Sequence, residues 1–324
     1  MKSARALAVV LTLAASGCVS EPPPRTETKA SADVGGVGAN DHEAGFSQAL
    51  VELDQRIDAY AALSSEAGDD ARTKRKQLET AIAAQVKRFK TDLLAAAGDA
   101  TNPSRRVIAA KALGFCDDPA AVTALSGMLA TKGDVRLLTN ATYSLGRLGS
   151  PLTRTDLLLP LVHDADPDVR SNTLRALARV FEAKRGIGAS PLDPMEQRDA
   201  MVYLEPALSD PADPLIRAHA AAAVGALGDP RAVDPLIDLL RDPHPLVKMQ
   251  TAIALGKLGD AKAVVPLVNA IEATPIGTPR STVVLALTAL LETLGHRPPE
   301  SLGEDGHAWE QWVRLNMSDS SKGP

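Results

Sequence analysis

Two helical stripes open the patterned part of the chain. Phe46, Leu50, Leu53, Ile57 and Tyr60 recur at spacings of 4, 3, 4 and 3. Leu78, Ile82, Val86, Phe89 and Leu93 recur at 4, 4, 3 and 4. Such spacing gathers each set on one side of a helix. Gly68-Asp69-Asp70 interrupts the pattern between the stripes and Gly98 ends the second, which predicts two antiparallel helices over residues 43–99. Each stripe lasts only three or four turns, so the hairpin is read as an N-terminal cap. The alternative is a coiled-coil arm through which the chain self-associates.

From about residue 100 the chain repeats itself. Leu113, Leu145 and Leu177 stand 32 residues apart, and Val224 and Leu255 stand 31 apart. The clearest unit runs from Leu215 to Leu240: an Ala-rich helix, the string Val224-Gly225-Ala226-Leu227-Gly228, then Asp229-Pro230 and a short helix carrying Val233, Leu236, Ile237, Leu239 and Leu240. Small residues let neighbouring helices approach closely, and glycine stops the first helix. In Asp-Pro the aspartate caps the next helix, and proline sits where a missing N–H costs nothing. Asp118-Pro119, Asp166-Pro167, Asp210-Pro211 and Asp242-Pro243 fall at equivalent breaks. One such pair cannot bury its apolar side alone, but a stack of pairs can. About six units fit residues 100–297. The third is long: Leu177 to Val224 spans 47 residues, and the excess lies near Lys184 to Gln197. The repeats resemble the HEAT-like repeats named after phycobilisome lyases. The resemblance implies an all-α, HEAT-like α-solenoid with the helical hairpin in front of it. Gly306 to Trp312 resembles the closing turn of bacterial HEAT-like proteins, so 298–324 is read as a C-terminal cap and tail, with Trp309 and Trp312 on one helical side.

The chain before the hairpin has a different character. Lys2 and Arg5 precede an apolar run from Ala6 to Ala15, too short to span a bilayer and fitting a signal-peptide core. The run ends in Ala15-Ser16-Gly17-Cys18, which resembles the lipobox of bacterial lipoproteins, with Ala15 where leucine is usual. That resemblance implies cleavage after residue 17, diacylglycerol on the Cys18 thiol and acylation of the new N-terminus. Val19 in place of aspartate favours the outer membrane under the enterobacterial sorting rule. Residues 18–42 contain Pro22-Pro23-Pro24 and Gly35-Gly36-Val37-Gly38 and read as a lipidated cysteine with a flexible tether.

Composition narrows the function. Alanine accounts for 54 of 324 residues, which favours helix over strand. The formal net charge is −5, about −7 after removal of residues 1–17, and aromatics are 3%; both argue against a nucleic-acid partner. The histidines show no metal-ligand spacing, and His219 is read as a groove residue in an Ala-rich helix. Asp164, Asp166 and Asp168 alternate as at the start of a calcium loop, but Val169 and Arg175 occupy the required Gly and Glu places, so the stretch is read as an inter-repeat turn. No phosphate loop, dinucleotide fingerprint or nucleophile elbow is present. Cys116 stands where the first unit should have Leu or Gly and is read as a small buried hydrophobe. No cofactor is expected.

Aligned units place Asp156, Asp234 and Val265 in one row of the second helices. His163, Arg241 and Glu272 form another, and Pro160, Asp238 and Asn269 a third. Of these, Asp156, His163, Asp234, Asp238, Arg241, Asn269 and Glu272, with Lys184 and Arg185 at the insertion, are the candidate partner-binding residues. The expected function is a non-enzymatic scaffold for a protein or peptide partner in the cell envelope, facing the periplasm and touching the membrane through its lipid alone. The alternatives are a bilin-lyase-like transferase or isomerase and a self-associating structural envelope protein.

Overall fold

The computed structural model describes residues 39–64, 66–131, 133–186 and 192–317. The signal segment, Cys18 and the tether as far as residue 38 lie outside the described residues. The chain divides into two compact units, one ending at Leu148 and one beginning at Gly149.

The first unit contains α1 (Ala39–Ala62), α2 (Asp69–Arg88), α3 (Lys90–Gly98), α4 (Pro103–Leu113), α5 (Pro119–Met128) and α6 (Val135–Leu148). Residues 39–42 are helical, where the sequence predicted tether. This start is pinned by His42, whose Nε2 lies 3.0 Å from Asp92 Oδ1 of α3. The second predicted helix is in fact two. It breaks at Phe89, whose buried ring meets Phe46 at 5.9 Å between centroids. The predicted stripes are buried except at Leu78, which is half-buried: Phe46, Leu50, Leu53, Ile57, Tyr60, Ile82, Val86, Phe89 and Leu93 all lie inside.

Helix α1 packs on α2 and α4, while α3 packs on α4 and α5. That is how one helix pair sits on the next, so the hairpin is itself a rung of the stack. Arg147 of α6 ties the rung down. Its guanidinium lies 3.8 Å from the Phe115 ring centroid and 5.0 Å from that of Tyr60. It also donates to Tyr60 Oη at 2.8 Å and pairs with Glu79 of α2. Cys116 is buried, and burial pushes its thiol up, away from thiolate chemistry.

The second unit begins with α7 (Thr155–Leu158), which runs on as a 3-10 turn through His163. It continues with α8 (Pro167–Gly186), α9 (Pro194–Ala207), α10 (Pro214–Leu227), α11 (Val233–Leu239), α12 (Pro245–Leu258), α13 (Val264–Glu272), α14 (Thr278–Thr293) and α15 (Gly306–Met317). The first helices form a continuous row, α8 on α10, α10 on α12 and α12 on α14. The second helices form the other row, with α9 against the 3-10 turn and α15 against α13. So α15, expected as a separate cap, is the second helix of the sixth pair. Trp309 is buried there and donates its Nε1–H to Gly303 O at 2.9 Å.

The two glycines of each repeat string do different work. Gly228 and Gly259 terminate α10 and α12 in the left-handed region, at φ 74° and 73°, as the helix-stop reading requires. Gly225 and Gly256 lie inside their helices and set the spacing between neighbours. A Cβ on Gly225 would fall 2.5 Å from Ala254 Cβ, and one on Gly256 would fall 3.0 Å from Ala286 O. In the first unit Gly114 is pressed in the same way against Ser144, whose hydroxyl donates to Ala110 O at 2.7 Å.

The Asp-Pro breaks divide likewise. Asp118, Asp166 and Asp229 cap the helix or turn that follows them, as expected. Asp210 and Asp242 sit one step earlier and make tight turns, and the caps proper are Asp213 and His244. Asp164 and Asp166 accept backbone N–H groups of the turn, which places the aspartate run between repeats.

His219 of α10 is packed against α8, with its Nδ1 3.0 Å from Ser171 Oγ. Burial, and then the charge of Arg175, lower its pKa to about 3, against an unfolded value near 6.5. The unfolded chain therefore binds the extra proton between these values, and stability falls as pH falls through that window. The expected loss from this group is about 2 kcal/mol between roughly pH 6.5 and pH 5, at about 1.4 kcal/mol per unit. Urea titrations of wild type and His219→Gln across that range check it: the variant should lack this part of the slope. Gly225→Ala should destabilise by about 1–3 kcal/mol through overpacking. Gly127→Ala, where a Cβ meets nothing within 4 Å, should be neutral or mildly stabilising. Thermal unfolding of the two variants separates them.

Candidate functional site

The second helices present a polar, exposed ridge because only their inner positions are consumed by packing. In α11, Val233 and Leu236 are buried, leaving Asp234 and Asp238 outside. Between α9 and α11 the ridge opens into a groove of about 710 Å³. Leu208, Pro235 and Leu239 give it apolar walls, and Glu205, Asp234, Asp238 and Arg241 its rim.

The floor of the groove is an ion pair. Arg217 donates from Nε to Asp242 Oδ2 at 2.6 Å and from Nη2 to Oδ1 at 3.2 Å. Its Nη1 donates to Asp210 O at 2.8 Å. Both side chains are largely buried, 15% and 5% exposed. Burial opposes ionisation of Asp242, but the bonds from Arg217 and from His244 N–H outweigh it and hold the carboxyl below the usual range. Those bonds use the charges of the floor, so the rim offers the groups available to a ligand.

The expected contact residues separate on this frame. Asp234, Asp238 and Arg241 come together at the groove, where Arg241 lies 3.3 Å from Asp238 and Lys262 lies 3.7 Å from Asp234. Asp156 is exposed and paired with Arg154, whose hydrogen bond lowers its pKa. His163 is exposed and stacks on Tyr203, centroids 6.1 Å apart. Asn269 is exposed on α13. Glu272 has a structural duty: it accepts the Gly306 N–H at 2.9 Å and pairs with Arg280.

Lys184 and Arg185, proposed from sequence as insertion contacts, are turned to the protein. Lys184 pairs with Glu196, and Arg185 donates to the carbonyls of Gly225 and Ala226. The insertion lengthens α8 to 20 residues, against 14 in α10, and α9 to 14, against 7 in α11.

Sequence reasoning left the third repeat out of the rows. Leu208-Ser209-Asp210-Pro211 matches Leu240-Arg241-Asp242-Pro243, and that register was available. It adds Val202 to the row of Asp156, Asp234 and Val265, and Ser209 to the row of His163, Arg241 and Glu272. Val202 and Val265 are 68% and 58% exposed, so apolar contacts alternate with acids along the first row. Among the described residues no group of three or more His, Cys, Asp or Glu is arranged to hold a metal ion. No helix among them is long and apolar enough to cross a membrane.

A family model described as HEAT repeats matches residues 91–178 and 202–288, more than half of the chain. The chain belongs to the HEAT repeat family. Solved structures to which the chain is similar include an engineered protein, 17% identical, covering 62% of this chain and 97% of that one at a TM-score of 0.47. The complex of CpcE and CpcF of phycocyanin lyase from Nostoc sp. PCC7120 is 18% identical over 85% of this chain and 100% of that one, at 0.39. Kap121p bound to Nup53p is 15% identical over 85% of this chain at 0.48, and this HEAT protein spans 32% of Kap121p. No curated protein matches the sequence.

Removing one partner from the floor should leave a buried charge uncompensated. Arg217→Ala should cost about 3–5 kcal/mol. Asp234→Lys with Asp238→Lys, at exposed positions, should stay within about 0.5 kcal/mol of wild type. Denaturant midpoints at constant m test both.

Proposed function

We propose that the chain is a non-enzymatic protein–protein interaction scaffold, held at the periplasmic side of a bacterial outer membrane by lipid on Cys18. In this reading residues 1–17 are a signal peptide, and the stack begins at α1. The observation that carries it is the ridge: successive second helices present Asp156, Val202, Asp234 and Val265 in register, mixing apolar and charged groups as a protein contact needs. Rigid neighbour-to-neighbour packing of the helices keeps that spacing fixed, so little order is lost when a partner docks. The anchor confines the ridge to a thin layer beside the membrane and raises its local concentration toward envelope partners.

Crosslinking in the native host tests the proposal, with tagged protein purified from membranes and its partners identified by mass spectrometry. The expected result is reproducible capture of one envelope protein, with crosslinks mapping to α9, α11 or α13, and its loss in Cys18→Ser. Recovery no greater than in Cys18→Ser overturns the tethered scaffold.

A further inference from the structure

Helix α2 carries Arg72, Lys74, Arg75, Lys76, Lys87 and Arg88 against Asp69, Asp70 and Glu79, in a chain whose net charge is −5. The acids do little to neutralise its outer side. Asp69 pairs with Arg72 at 3.0 Å at the helix start, and Glu79 turns to Arg147. Between Ala71 and Thr91 there is no other carboxylate.

The use of cations elsewhere makes this helix distinct. Lys111, Arg217, Arg231 and Lys257 are paired with acids, while Arg106, Arg170, Arg185 and Lys248 donate to backbone carbonyls. Among the described residues, Lys74, Arg75, Lys76, Lys87 and Arg88 have no carboxylate or carbonyl partner. Arg88 lies over the Phe89 ring at 5.0 Å. Lys74, Lys76, Lys87 and Arg88 are exposed, and the residues among them on that side, Thr73, Gln77, Thr80, Ala81 and Ala84, are exposed and uncharged. Ile82 and Val86 face inward at 0% exposure, which fixes the helix's rotation with the cations outward. From Lys76 to Lys87 the side runs about 16 Å at 1.5 Å per residue.

We propose that this outer side of α2 is a contact surface for the anionic headgroups of the bilayer that holds the lipid anchor. The inference rests on the Cys18 anchoring reading. Residues 19–38 separate Cys18 from α1, a span of at most roughly 70 Å fully extended, which keeps the cations within reach of that bilayer. A basic patch beside such an anchor adds a contact at the bilayer surface whose strength grows with each Lys or Arg near anionic headgroups.

Flotation of the full chain with vesicles is the test, comparing pure phosphatidylcholine with a mixture containing about a third phosphatidylglycerol. Both vesicles meet the same apolar N-terminal segment, so the difference reports headgroup charge. Wild type should float preferentially with phosphatidylglycerol, and the preference should vanish at about 0.5 M salt, where screening is short-ranged. The triple variant K74E/K76E/K87E should lose roughly a hundredfold in affinity for the mixed vesicles, with an unchanged Tm. If that variant unfolds, K74Q/K76Q/K87Q replaces it and should bind more weakly than wild type. Equal flotation with both vesicles, wild-type binding by a folded variant, or binding to heparin without binding to phosphatidylglycerol overturns the proposal. The anchor is read separately, from the intact mass of the membrane-purified protein: absence of acyl mass on Cys18 overturns the anchoring reading whatever the vesicles show.

Discussion

The structure depends on how closely one first helix can approach the next. At Gly225 a single added methyl would overlap Ala254, and at Gly256 it would press on the backbone of α14. The Ala-rich sides of α10 and α12 exist for the same reason, since Ala218, Ala220, Ala221, Ala223, Ala252 and Ala254 are all buried. Large side chains would hold the helices apart and open voids that close packing does not tolerate. The bulk of the core is supplied by leucines such as Leu227, Leu236, Leu255 and Leu267, which lie between the rows and are fully inside. The alanine excess is therefore a consequence of helix spacing rather than of helix propensity alone.

Once the helices are that close, their ends must be satisfied locally, and the charged residues do this. Arg106, Arg170, Arg217 and Arg280, near the start of their helices, each donate to a carbonyl at the end of the preceding second helix or in the turn that follows it. These bonds satisfy backbone acceptors in the link between one pair and the next. They also explain why so many cations are withdrawn from the surface and why the second-helix ridge is dominated by Asp, Glu, Val and Pro. The groove between α9 and α11 shows both roles together, with its floor used for structure and its rim left to solvent.

Much of this was legible in the sequence. The period near 31, the buried stripes, the glycine stops at Gly228 and Gly259 and the caps at Asp118, Asp166 and Asp229 follow from spacing and from backbone chemistry that acts within a few residues. What was not legible depends on contacts distant in sequence. Nothing local distinguishes Gly225, which meets Ala254, from a helix stop one turn later. Lys184 and Arg185 look like exposed insertion charges until α8 is seen to continue past its repeat length and reach the end of α10. Asp210 and Asp242 resemble helix caps because a tight turn and a cap use the same carboxylate-to-N–H bond. The row residues Val202 and Ser209, by contrast, were legible through the Leu-x-Asp-Pro match and are missed only when the period is counted across the insertion.

The insertion itself changes how the stack holds together. Arg185 reaches from the prolonged end of α8 to the carbonyls of Gly225 and Ala226 and covers Gly228, while Gln197 of α9 donates to Leu227 O. Lys257 of α12 pairs with Glu182 of the same prolonged α8, bypassing the repeat between them. Most contacts in a repeat array run only to the nearest neighbour, so such arrays can fray one rung at a time. Here the Lys257–Glu182 pair adds one next-but-one bond to the neighbouring bonds of Arg185 and Gln197, which couples the opening of three successive rungs.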